Sequence, residues 1–255
     1  MQIKSNMKKT SPFRIYISIC VKGDVFLRKK IGIVVTMIFL LGIVVVSQKT
    51  GERLREKMEQ KESVPTVANS EERVVVVDSG HGGDDPGKIG VNDKFEKDIN
   101  LQIAQKIQKM LEEKNVKVVM TRENEEGLEK TRVEDLKARV DLINQTKPVI
   151  AVSIHQNSYP DAEIHGAQVF YYTHSKEGES AAKILQESLR KIDQDNYRQA
   201  KANDTYYMLK KTEVPVVIVE CGFLSNHKEA ELLCGEEYQM KVSQAVTEGI
   251  LEYMK

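Results

Sequence analysis

The sequence predicts an α/β fold: a single domain with a largely parallel sheet flanked by helices, behind an N-terminal transmembrane helix. Three observations lead there. From Val74 onward, short β-branched runs alternate with segments of helical period, the pattern of parallel strands covered by helices. Three of those runs lead from apolar residues straight into a polar one, as strands do when they feed a ligand site at the edge of an open α/β sheet. Upstream, Ile31 to Val46 contains no charged residue.

The N-terminal elements come first in order. With Ser47 and Gln48, the run from Ile31 approaches the roughly 20 residues needed to span a bilayer, and it lacks the polar face a core helix would keep. Residues 1–30 hold Lys4, Lys8, Lys9, Arg14, Lys22, Arg28, Lys29 and Lys30 against one acid, Asp24. Positive-inside bias therefore predicts a basic cytoplasmic leader (1–30), a signal-anchor (31–48) and a chain that continues on the outer face of the cytoplasmic membrane. A cleaved signal peptide is the competing reading, with Val45-Val46-Ser47 as a poor cleavage pattern. Residues 49–72 mix charges with little apolar periodicity and read as a stalk interrupted at Pro65.

Residues 73–255 then suffice for one well-buried core. A strand at 74–78 precedes a helix at 97–114, in which Ile99, Ile103, Ile107, Met110 and Leu111 recur at helical spacing. A strand at 116–122 follows, then a helix marked by Leu136, Val140 and Ile143, a strand at 149–154 and a half-exposed strand at 167–172. A helix at 179–193, a strand at 214–219 and a last helix through Val242, Ala245, Val246 and Ile250 complete the pattern. No internal repeat is present. Lys and Arg balance Asp and Glu at 38 each, which argues against nucleic acid as a partner.

The chemistry sits where the apolar runs end. The first run gives Asp78-Ser-Gly-His81-Gly-Gly, the second Ser153-Ile-His155, and the third Val214-Pro-Val-Val-Ile-Val-Glu220. Two histidines with carboxylates form the ligand set of a catalytic zinc. The glycines around His81 also suit a tight turn, but they match neither glycine-rich phosphate motif. Glu96 opens a helix, where the dipole alone favours an acid. Glu220, after four apolar residues, is costly unless paired or bound to a cation. His165 reads as a donor behind the site or as a surface residue, His174 and His227 as solvated, and Arg122 and Arg139 as structural ion-pair partners.

Taken together, Asp78-Ser-Gly-His81-Gly-Gly, Glu96, Ser153-Ile-His155-Gln-Asn157 and Pro215-Val-Val-Ile-Val-Glu220-Cys-Gly-Phe-Leu-Ser-Asn226 resemble the zinc-dependent N-acetylmuramoyl-L-alanine amidases of the amidase-3 class. The resemblance covers residues 73–255. It implies Zn2+ held by His81, Glu96 and His155, with Glu220 as the catalytic carboxylate. Peptidoglycan becomes the substrate, and the amide between N-acetylmuramic acid and L-alanine the bond cleaved. A single anchor without wall-binding repeats is most similar to the spore-cortex branch, in which a regulatory protein partner would be unidentified. Asn157 and Gly166 are expected to shape the groove.

Two rivals follow from the same residues. Cys221 beside Glu220 invites a cysteine hydrolase, although a thiolate next to a buried carboxylate is disfavoured. A non-catalytic peptidoglycan- or metal-binding scaffold is the rival outside the enzymes. Cys20, Cys221 and Cys234 have no metal-type spacing, and a Cys221–Cys234 disulfide is left open.

Overall fold

The computed structural model describes residues 73–255. The leader, the Ile31–Val46 run and the stalk lie outside the described residues, and among the described residues no helix is long and apolar enough to cross a membrane. In chain order the elements are β1 (Val74–Ser79), α1 (Glu96–Glu112), β2 (Lys117–Met120), α2 (Arg132–Thr146), β3 (Ile150–Asn157) and β4 (Gln168–Tyr172). They continue with α3 (Lys176–Arg190), β5 (Lys201–Asn203), α4 (Tyr207–Lys211), β6 (Val216–Phe223), α5 (His227–Cys234) and α6 (Glu236–Tyr253).

One six-stranded sheet runs in the order β2-β1-β3-β6-β4-β5, parallel throughout except where β4 meets β6. The expected largely parallel sheet is therefore present. Its central strands are apolar on both faces because helices cover both, and all eight residues of β6 are buried. Side chains alternate along a strand, so Val75 and Val77 pack into one layer and Val76 into the other.

The larger layer holds the stripes of α1 (Ile99, Ile103, Ile107, Leu111), α3 (Ala181, Leu185, Leu189) and α6 (Val242, Val246, Ile250). The smaller one is built by Val140 and Ile143 of α2 with Met208 and Leu209 of α4. Helix α2 starts where Thr131, its N-cap, accepts from the Glu134 amide through Oγ1 and donates the same hydroxyl to the Glu134 carboxylate. It stops at Lys147, whose φ of 49° leaves the helical region just before Pro148.

Several expectations shift. Strands β3 and β6 do not end at His155 and Glu220: each runs on for two or three residues, to Asn157 and Phe223. β2 is shorter than 116–122: it covers Lys117–Met120, and beyond it the side chains of Thr121 and Arg122 make buried hydrogen bonds to Asp78 and to the Ser79 carbonyl. Elements β5, α4 and α5 were not expected. The first two are only three and five residues long, too short to display a period.

Candidate active site

Strand parity brings the polar residues together. Ala151 and Ile218 face the α2/α4 layer, so Ser153 and His155 on β3 and Glu220 on β6 face it too. His155 and Glu220 are direct partners across the β3–β6 ladder, and the ladder is irregular just beyond them, between His155 and Asn157. Residues 65 apart in the chain thus become cross-strand neighbours.

His81 arrives from the loop after β1. Its backbone has φ 61°, uncommon for a residue with a Cβ, and Gly82 and Gly83 beside it also have positive φ. Gly82 and Asp85 close the turn with reciprocal amide–carbonyl bonds of 3.1 and 3.0 Å. Asp85 Oδ2 lies 2.8 Å from His81 Nδ1, which orients the ring and leaves Nε2 directed at Glu96 Oε2, 3.3 Å away. Gly80 permits the assembly. A Cβ there would lie 2.3 Å from His155 Cε1.

Glu96 opens α1 and is 4% exposed. Its Oε2 accepts from the Lys88 amide (2.8 Å), and its Oε1 accepts from the Gln156 amide (3.0 Å) and faces His155 Nδ1 (2.9 Å). Burial alone would raise its pKa, but the hydrogen bonds and charges of His155 and His81 hold it far below the usual carboxylate range. For His155, burial opposes the proton while the bond and charge of Glu96, with the charges of Glu220 and Asp78, outweigh it and lift the pKa to about 9.

Ligand atoms of His81, Glu96 and His155 all fall within 4.8 Å of one another. Glu220 faces the same space. Burial and the charge of Glu96 push its pKa up to about 7 against the pull of the two histidines. Its Oε2 is buried with no hydrogen-bond partner among the described residues.

These side chains line a cavity of about 510 Å³. Its walls include residues the sequence did not mark: Lys88, Arg132, and Tyr206, Tyr207 and Met208 at α4. The only signal for this wall in the sequence was the Tyr206-Tyr207 pair, and it lacked a strand or helix pattern to place it. Asn157 lines the cavity as expected. Gly166 does not: it is buried where a Cβ would meet Asn196 Oδ1 at 2.8 Å, and its amide donates to Glu229. His165 is exposed, and its carbonyl accepts from Arg198.

Cys221 lies on the opposite face of β6, fully buried in the larger layer, with its thiol pKa raised by burial and by the charge of Glu220. That placement removes it from the histidines and with it the cysteine-hydrolase reading. Cys221 and Cys234 are both free thiols.

Residues 75–252 match the sequence profile of the amidase-3 family, described as N-acetylmuramoyl-L-alanine amidase. The chain belongs to this family. The amidase is 37% identical over 189 residues to the germination-specific N-acetylmuramoyl-L-alanine amidase of Bacillus subtilis strain 168, a match covering 71% of this chain and 79% of that protein. Its fold matches the CwlD amidase of Clostridioides difficile, solved with the GerS lipoprotein, at a TM-score of 0.69 and 37% identity over 71% of this chain and 98% of that one. The catalytic domain of CwlV from Bacillus (Paenibacillus) polymyxa gives 0.65 and 31%, with coverage of 71% and 98%.

Proposed function

We propose that this amidase is a zinc enzyme that hydrolyses the amide between N-acetylmuramic acid and L-alanine in peptidoglycan, with His81, Glu96 and His155 as metal ligands and Glu220 as the proton-transfer group. The carrying observation is a His-Glu-His cluster built around the buried Glu96, with its donors within 4.8 Å of one another, faced by a carboxylate whose Oε2 has no partner among the described residues. This donor set fits zinc: two imidazoles and one carboxylate, each on a rigid element or orienting hydrogen bond, are the ligands of catalytic sites that keep a position open. The chemistry a zinc ion supplies when held there is Lewis acidity, which polarises an amide carbonyl and acidifies water.

The chain's own residues supply the rest. Glu220, with its pKa near neutrality, takes a proton from the attacking water and returns it to the leaving nitrogen. A carbon–oxygen bond forms to the lactyl carbonyl, the carbon–nitrogen bond breaks, and the products are a lactyl carboxylate and the free amine of L-alanine. Asp85 keeps His81 in one tautomer throughout. Tyr206 and Tyr207 form the wall on the α4 side, where a sugar ring or peptide would rest.

Incubating peptidoglycan with the full-length protein is expected to release stem peptides with a free N-terminal alanine, detected by mass spectrometry of the soluble products. Intact muropeptides after incubation with zinc would refute the reading.

A role in the spore cortex is part of the same proposal, supported by the likeness to a germination-specific amidase. So is a protein partner, supported by the relative solved with a lipoprotein. For location, the charge asymmetry about Ile31–Val46 supports a single-pass anchor with residues 73–255 on the cell-wall face. Protease added to intact protoplasts should then degrade the domain and spare a small N-terminal fragment. A fully protected domain would place it in the cytoplasm instead.

A further inference from the structure

Two buried guanidinium groups have no part in the chemistry above. Arg122 and Arg139 are 5% and 2% exposed, and interior charges are costly unless well paired. Arg139 Nη1 donates to Asp78 Oδ1 (2.8 Å) and to the Ser79 carbonyl (2.6 Å), and its Nη2 donates to the His81 carbonyl (2.6 Å). Its Nε donates to Asp135 Oδ2 at 2.5 Å. Arg122 Nε donates to the Ser79 carbonyl (3.0 Å), and its Nη2 donates to the carbonyls of Gly80 (3.1 Å) and Lys97 (2.7 Å).

Three consecutive carbonyls, 79 to 81, are therefore captured by arginine. Lys97 follows Glu96 in the first turn of α1, so Arg122 ties the loop bearing His81 to the helix bearing Glu96. Asp78 completes the link to β3 by accepting from Ser153 Oγ at 2.5 Å, two residues before His155. A non-glycine residue at φ 61°, as His81 is, is strained and persists only under restraint. The Arg139 bond to its carbonyl adds a restraint from α2 to those of the Gly82–Asp85 turn.

We propose that Arg122 and Arg139 are positioning residues of the metal centre, clamping the backbone that presents His81 and Glu96 so that the ligand atoms are arranged before an ion binds. The proposal rests on the metal-site reading above. A guanidinium offers five N–H donors in one plane and can hold several carbonyls at fixed angles, whereas an ammonium is a compact point charge without that fork. Loss of groups that orient metal ligands typically weakens metal binding about 10–100-fold.

The test uses the full-length protein with Arg122→Lys and Arg139→Lys, each keeping the charge and losing the fork. Zinc affinity is measured by competition with a chromophoric chelator, and backbone amide exchange at residues 79–83 in zinc-stripped protein. Asn226→Ala serves as the stability control, since the Asn226 side chain caps α5 by accepting from the Glu229 amide and donates to the Ala162 carbonyl. Both lysine variants should bind zinc about 10–100-fold more weakly and exchange faster at 79–83. Asn226→Ala should melt earlier with unchanged zinc affinity.

Lysine variants that bind zinc within twofold of wild type would overturn the proposal even if they melt earlier. Should Arg139→Lys fail to fold, Arg122→Lys decides, because the hydrogen bonds of the Arg122 side chain go to backbone carbonyls; if neither folds, the pair serves the fold and the positioning role is refuted. A wild-type protein that binds no zinc would refute the metal-site reading itself and be recognised before any variant is made.

Discussion

Replacing Glu220 by glutamine is expected to lower amide hydrolysis about 10²–10⁴-fold while zinc content stays at the wild-type level. That loss corresponds to about 3–5 kcal/mol of transition-state stabilisation. Glutamine keeps the length and shape of the side chain in a site where Glu220 is 8% exposed, so packing against β3 and β4 survives. What disappears is the ability to hold a proton between water and the leaving nitrogen. The variant also has a pH signature. Burial and the charge of Glu96 raise the Glu220 pKa to about 7, and the base works only when ionised. Wild-type activity should therefore fall as pH drops, with an acid limb at or below about 7, since a bound dication draws the pKa down. The residual activity of Glu220→Gln should lack that limb. Wild-type rates from Glu220→Gln in a mass-spectrometric assay of released stem peptides would show that another group moves the proton.

The second large effect is expected at His155. His155→Ala leaves His81 and Glu96 as the remaining donors of the cluster, removes a hydrogen-bonding partner of Glu96 Oε1 and opens space against Gly80. Metal analysis after gel filtration should fall from about one zinc per chain to a small fraction, and hydrolysis should fall with it, because a site reduced to two protein ligands loses the binding free energy that retains the ion. Circular dichroism should remain that of an α/β domain, since His155 keeps part of its surface exposed and the ladder of β3 is built from backbone groups. Full zinc occupancy in purified His155→Ala would show that the ligand set is wrong. Together the two variants separate the metal from the proton: one is expected to lose zinc and turnover, the other turnover alone.

Much of the fold was legible because long central elements advertise themselves. Val74–Val77 and Val216–Val219 are unbroken apolar runs, as strands covered on both faces must be, and α1 repeats isoleucine every fourth residue. Element ends were less legible. β3 and β6 carry polar residues past the point where hydrophobicity stops, because backbone pairing, which no side chain announces, continues to Asn157 and Phe223.

The sequence by itself determined the central strands, the long covering helices and the chemical identity of four polar groups, His81, Glu96, His155 and Glu220, since each interrupts an apolar pattern or opens a helix. Tertiary structure decided everything about how they meet. Strand order places His155 opposite Glu220, parity puts Cys221 on the other face, and the turn at Gly82 brings Asp85 onto His81. The Tyr206 wall and the two arginine clamps also exist only in three dimensions. The physical reason is one of range. Periodicity reports which face of its own element a residue occupies, but neighbours separated by tens of residues are chosen by packing and by the hydrogen bonds a buried charge or a strained backbone must find.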